Sequence, residues 1–160
     1  MERYQKIIGH EKFQTYVKEI NQLEQERIYC HHDTGHLLDV ARIAYIKALE
    51  EGVNLTKDEI YGAALLHDIG KVRQYKEKIP HEITGAKEAG KILRECGYKK
   101  DEIGRIEEAI LHHRRGDGQE NDVLSRLLYE ADKQSRMCMF CKASESCNWG
   151  KEQKNVVVIY

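Results

Sequence analysis

The residues best suited to chemistry are an adjacent pair, His67-Asp68, set between the apolar run Ala63-Ala64-Leu65-Leu66 and Ile69-Gly70-Lys71. Imidazole nitrogen and carboxylate oxygen both bind divalent metals such as zinc, manganese, iron and nickel. Neighbouring residues on a helix point about 100° apart, so both can face one ion only where a helix end meets it. Two ligands do not make a site. Others stand at the ends or on the inward stripes of separate segments: His36, His81, His112 and Asp132. Each alone has a plain structural reading. His31, His32 and Asp33 read as a solvated loop, and His36 as a residue of a cap region. A buried His-Asp pair is satisfied by a salt bridge as well as by a metal, since the expensive state is the unpaired charge. Asp132 falls four residues after Leu128 on an apolar stripe, where a carboxylate needs a partner.

A second cluster lies near the C-terminus. Cys138-x-x-Cys141 followed by Cys147 has the spacing of a zinc ligand pair or a redox motif. Three thiols are one short of a closed tetrahedral zinc site; Cys30, a His or a partner chain could supply the fourth. Its position after a helix, rather than a strand, counts against a thioredoxin-like motif. The plain reading is small side chains packed around Phe140 and Trp149.

The elements that must position these groups read as helices. Phe13, Tyr16, Val17, Ile20, Leu23 and Arg27 recur at helical spacing over roughly 11–27, after a short leading segment that ends at Gly9. Leu37, Val40, Ala41, Ala44 and Ala48 form a second stripe that ends at Gly52. Thr56 and Glu59 make a capping box for a third helix. A fourth runs from His81 to Cys96, with Gly85 permitting close approach. A fifth follows Asp101 and ends at His112-His113-Arg114-Arg115, with Gly116-Asp117-Gly118 as a turn. A sixth carries Val123, Leu124, Leu127, Leu128 and Ala131. Residues 72–80 are polar and aperiodic and read as a loop. Residues 156–160, Val-Val-Val-Ile-Tyr, read as an edge strand or an arm packing on a partner subunit.

Composition narrows the function classes. The chain has 160 residues, 41% hydrophobic and 33% charged, one domain's worth with enough to bury a core. The net charge of -1 gives no reason to expect nucleic acid or an anionic membrane as partner. No run approaches the roughly 20 apolar residues of a membrane span, and the first residues lack the apolar core of a signal peptide. A cytoplasmic protein with reduced thiols is expected.

The ordered set of His36, Leu65-Leu66-His67-Asp68-Ile69-Gly70-Lys71, His81 with Gly85, Ile110-Leu111-His112-His113 and Glu130-Ala131-Asp132 resembles the HD superfamily of metal-dependent phosphohydrolases. The resemblance implies an all-α HD-domain bundle of about six helices with a short irregular Cys-rich C-terminal extension. A single domain of residues 1–160 is expected, with a core of about 30–136 and a tail of 137–160. It implies His36, His67, Asp68 and Asp132 as core metal ligands, Asp68 as the bridge of two metals, and His81 and His112 as the further ligands of a dinuclear site. Two divalent ions per chain follow, drawn from iron, manganese, nickel, cobalt or magnesium, with zinc a candidate at the cysteines. The implied activity is hydrolysis of a phosphoester of a small molecule, such as a nucleotide, by a metal-activated water, with Asp68 and Lys71 catalytic. Arg114, Arg115, Lys133 and Arg136 are candidate substrate contacts. Asp39 stands where many members carry Arg. His112-His113 with Gly116-Asp117-Gly118 is similar to the HD-GYP branch, but Gln119-Glu120-Asn121 replaces the Gly-Tyr-Pro that names it. Two alternatives stand beside hydrolysis: a diiron oxygenase of the inositol-oxygenase-like branch, and a non-catalytic metal or nucleotide sensor. A homodimer is a candidate assembly.

Overall fold

The computed structural model describes residues 2–116 and 122–160. In chain order the helices are α1 (Arg3–Ile8), α2 (Glu11–Leu23), α3 (Thr34–Glu50), α4 (Lys57–Leu66), α5 (Lys71–Glu77), α6 (His81–Glu95), α7 (Lys100–His112) and α8 (Val123–Gln134), followed by a 3-10 turn at Cys138–Phe140. Their starts follow from local chemistry. The Asp33 carboxylate accepts the backbone N–H of His36, and Asp122 accepts that of Ser125, each using one of the four donors a helix start leaves unpaired. Thr56 and Glu59 form the capping box of α4. Gly52, at φ +64°, takes the left-handed conformation that ends α3.

Helix α4 is the axis of the molecule. It packs against α1, α3, α6, α7 and α8. Ile60, Ala63, Ala64, Leu65 and Leu66 are all buried, so it is apolar on nearly every side, as a central helix must be. Each buried Ile or Leu contributes roughly 1.5–3 kcal/mol relative to exposure. Small side chains along α4 let its neighbours approach, and the Tyr98 hydroxyl donates to the Asp58 carbonyl at 3.0 Å. Helix α3 packs on α4 and α8, and α6 on α7, so the helix ends near His36, His67, His81, His113 and Asp132 meet on one side.

Two contacts hold that arrangement. At the N-terminus Arg3 reaches Glu102 at 2.5 and 2.7 Å and Asp58 at 3.0 Å, tying α1 to the first turns of α7 and α4. At the other end the α4–α5 turn lies against the start of α6. A Cβ on Gly70 would stand 2.0 Å from the His81 carbonyl oxygen and 2.6 Å from the Gly85 nitrogen, so only glycine fits.

The structure departs from the sequence reading in several places. Residues 71–77 form α5 rather than a loop. Val72 is its one buried apolar residue, which leaves no period to read, and packing on α2 and α6 stabilises it instead. The leading segment is α1. Helix α2 stops at Leu23, and helix α7 begins at Lys100, with Glu102 accepting from the Lys99 N–H. The bundle is all-α, as the resemblance implies, and the described residues add the short α1 and α5 to the six helices read from the spacing. Residues 156–160 form no strand; their side chains are exposed and no sheet edge exists among the described residues to pair with. Of the expected Gly-Asp-Gly turn, Gly116 has φ +63°, while Asp117 and Gly118, with Gln119-Glu120-Asn121, lie outside the described residues. No helix among the described residues is long and apolar enough to cross a membrane.

Two outcomes follow. Arg3 holds the Glu102 carboxyl at about 2, below its ordinary 4.5. A depressed carboxyl stabilises the fold above its unfolded pKa, and that contribution is lost as pH falls from 4.5 towards 2. The urea midpoint should therefore drop across this window, and Arg3→Gln should flatten the drop; an unchanged slope would reject the pairing. Gly70→Ala should cost about 1–3 kcal/mol by overpacking, read from urea unfolding.

Candidate metal centre

Five separate helix ends deliver side chains to one buried point. The first turn of α3 brings His36, the α4–α5 turn His67 and Asp68, the start of α6 His81, the end of α7 His113, and α8 Asp132. Asp68 lies at the middle. Its Oδ2 is 3.0 Å from His67 Nε2 and 3.4 Å from His36 Nε2, and its Oδ1 is 3.3 Å from His81 Nε2 and 3.8 Å from His113 Nε2. Asp132 Oδ1 completes the other side, 3.3 Å from His36 Nε2 and 3.8 Å from His67 Nε2. Two overlapping triads, His36-His67-Asp132 and His67-Asp68-His113, have the spacing to hold an ion each or one between them.

The outward ring nitrogens decide what the inward ones offer. His67 Nδ1 donates to the Ala64 carbonyl at 2.7 Å and His113 Nδ1 to the Ile110 carbonyl at 2.6 Å. His81 Nδ1 faces Gln74 Oε1 at 2.5 Å. A neutral imidazole that donates from Nδ1 presents a lone pair at Nε2, the tautomer a metal requires. His81 and His113 therefore turn two lone pairs towards each other at 3.0 Å, which calls for a shared cation or proton. His67 Nε2 and Asp68 Oδ2 are buried and make no hydrogen bond among the described residues. Unsatisfied buried groups of this kind are rare and costly unless an ion engages them. A divalent metal fits this donor set.

Charge points the same way. Burial opposes ionisation of Asp68, yet His67, Lys71 and His32 outweigh it and hold its carboxyl well below the ordinary range. Burial also disfavours charge on His67, but Asp68 and Asp132 push it up to about 10. Burial and Lys71 push His81 down to about 2, and burial with His67 pushes His113 down to about 4. The two acids attract a positive charge, which a protonated His67 meets in the protein alone and a metal ion would meet in its place; His81 and His113 remain neutral donors.

Above this floor opens a cavity of about 750 Å³. Lys71 Nζ lies 3.7 Å from Asp68 Oδ1, and Lys133 Nζ 2.6 Å from Asp132 Oδ2. Arg136 Nη2 donates to His36 Nε2 at 3.1 Å, and its Nη1 donates to the His31 carbonyl at 2.8 Å. Arg114 stands at the rim, 3.4 Å from Glu82. His32 lines the wall. Its Nδ1 donates to Glu24 Oε1 at 2.5 Å, its backbone N–H to Glu24 Oε2 at 2.8 Å, and the Tyr75 hydroxyl also donates to Glu24. Burial of the Glu24 carboxyl is outweighed by His32 and Tyr75, which hold it at about 2.

The structure brings together His36, His67, Asp68, His81, Asp132 and Lys71, as expected from the sequence. It does not bring His112. That ring, partly exposed, pairs with Glu108 at 3.0 Å, and His113 takes its place beside Asp68. The reason is helical phase: Ile106, Ile110 and His113 continue one buried stripe, and His112 lies about 100° off it. Of the basic candidates, Arg114, Lys133 and Arg136 line the cavity, whereas Arg115 is exposed and outside its lining. His32 is buried rather than solvated. It was hidden because its partner Glu24 reads as surface, yet Val17, Ile20 and Glu24 share one face of α2, the same signal that marks Asp132.

Comparison with known proteins agrees with this geometry. The HD domain family model matches residues 33–137. Over 160 residues the chain is 40% identical to an uncharacterized protein of Clostridium beijerinckii, each chain covered in full. It is 33% identical over 116 residues to ribonuclease Y of Pelobacter propionicus, covering 72% of this chain and 20% of the other, so the chain spans about a fifth of that relative. The fold is that of the crystal structure of a predicted HD superfamily hydrolase from an uncultured Thermotogales bacterium, with a TM-score of 0.64 and 19% identity over 88% of this chain and 79% of that one. The matched span carries His36, His67, Asp68, His81, His113 and Asp132, and the chain belongs to the HD domain family.

Proposed function

We propose that the protein is a metal-dependent phosphohydrolase that cleaves a phosphoester of a small molecule, with nucleotides the leading class. The observation that carries this reading is the pair His67 Nε2 and Asp68 Oδ2, which make no hydrogen bond among the described residues, at the floor of a cavity walled by Lys71, Lys133 and Arg136. Membership of the HD family supports divalent metal and hydrolysis in general terms. The cavity volume suits a small ligand. The name ribonuclease Y, borne by relatives of partial length, brings ribonucleotide phosphodiesters into the substrate panel.

His36, His67, Asp68 and Asp132 would hold a first ion, and His81 and His113, with Asp68 shared, a second. When bound, a divalent metal supplies Lewis acidity to water and to phosphoryl oxygens. The chain supplies the rest. Lys71, Lys133 and Arg136 offset charge on the phosphoryl group and orient it, the main task in phosphoryl transfer. Their present partners are Asp68, Asp132 and His36, which keep them aimed at the floor. His32 faces the cavity with Glu24 behind it; burial lowers its pKa more than Asp68 and Glu24 raise it, so in the protonated form it gives its proton readily to the leaving oxygen. In this reading residues of about 30–136 form the catalytic unit of a single domain, and the 137–160 tail walls its mouth.

In protein purified without added metal or chelator, the His and Asp centre should hold about two divalent ions per chain. Asp68→Ala should remove those ions and hydrolysis on every phosphoester while far-UV circular dichroism stays unchanged; full activity in that variant would sink the site. His113→Ala should lose metal, whereas His112→Ala should keep it, and the reverse pattern would restore His112 as the ligand. His32→Gln should lower kcat by about 10²–10⁴-fold on an alkyl phosphoester but much less on a nitrophenyl ester. Equal losses on both would remove the proton-transfer role.

A further inference from the structure

Four of the five cysteines gather on one wall of the cavity, although Cys30 lies far from the others in sequence. Cys30, Cys138, Cys141 and Cys147 all line it, all are half-buried and none is in a disulfide, while Cys96 sits apart in the core. The supporting backbone is specific. The 3-10 turn donates Cys141 N–H to the Cys138 carbonyl at 3.2 Å, and the Trp149 N–H donates to Cys147 Sγ at 3.5 Å. Arg27 Nε donates to the Cys30 carbonyl at 2.8 Å, and the Tyr29 hydroxyl donates to the Ser146 carbonyl at 3.1 Å, so the Cys30 segment is pinned to the Cys147 loop.

We propose that Cys30, Cys138, Cys141 and Cys147 together ligate an iron–sulfur cluster, a site separate from the His and Asp centre.

Spacing counts against a single tetrahedral zinc ion. Sulfurs 2.3 Å from one tetrahedral zinc stand roughly 3.8 Å from each other. No three of these sulfurs lie within 4.8 Å of one another. A four-cysteine iron–sulfur cluster has several metal and sulfide atoms at its middle and spreads its thiolates wider. Arg27, Arg136 and Lys154 line the same cavity, with their side chains donating to the Cys30, His31 and Ser144 carbonyls. Cys138-x-x-Cys141 gives the paired spacing such clusters use. The cluster needs no electron transfer to matter. It would clamp the 27–31 segment to the tail and so hold His32 and Arg136 over the floor.

The inference stands apart from the hydrolase reading, and the experiment separates them. Protein purified under strict exclusion of oxygen should contain acid-labile sulfide and iron, about four of each per chain for a cubane cluster, with broad visible charge-transfer absorption. Each of Cys30→Ser, Cys138→Ser, Cys141→Ser and Cys147→Ser should lose the sulfide and the absorption, whereas Asp68→Ala should keep both. Should the serine variants misfold, wild-type protein stripped by chelator and given equal ferric and ferrous iron with sulfide, under exclusion of oxygen, must regain the absorption. Zinc without sulfide, disulfides in the anaerobic protein, or retention of the full cluster by Cys30→Ser would overturn the proposal.

Discussion

The burial of two carboxylates, Asp68 and Asp132, at one point inside a helical bundle is the constraint on which the rest depends. Burying one ionised carboxylate without a partner is prohibitive, and burying two is worse. The structure answers with four imidazoles and Lys71 converging from separate helix ends. Even so, His67 Nε2 and Asp68 Oδ2 stay without a hydrogen bond among the described residues, and His81 and His113 face each other through lone pairs. The protein groups alone leave the centre incompletely satisfied, which is the condition a metal site must meet.

The surrounding architecture serves that point. An all-round apolar α4 carries His67 and Asp68 to the end of the core, and its neighbours bring the other donors alongside. Gly70 lets the α4–α5 turn sit directly on the start of α6, which sets His81 against Asp68. Outer groups then fix each ring: the Ala64 and Ile110 carbonyls, Gln74 and Ser135. Such partners orient ligands and set their tautomers. Around the rim, cations tethered to the acids of the floor give the cavity a charge suited to a phosphoryl group.

Most of the fold and much of the centre were legible in the sequence. Helical spacing marked α2, α3, α4, α6, α7 and α8, because each buries a long apolar stripe. An acidic residue on such a stripe marked Asp132, and adjacency to a buried run marked His67-Asp68. Short elements escaped: α1 has few buried residues and α5 a single apolar one, so neither has a period to detect. Glu24 and His32 escaped because a carboxylate at the end of a helix and a histidine in a polar loop look solvated until the helix is docked.

The sequence by itself determined that the chain is helical, that its His and Asp residues fall at helix ends, and that its cysteines crowd the tail. Those are properties of local periodicity and composition, which act over a few residues. Only the tertiary structure decided that His113 and not His112 turns inward, since one residue on a helix rotates a side chain by about 100° and the phase is set by docking. Only it decided that Glu24 stands behind His32, and that Cys30 joins Cys138, Cys141 and Cys147 on one wall. Such pairings join residues distant in sequence, and their physical cause is the packing of whole helices rather than any preference of the segments themselves.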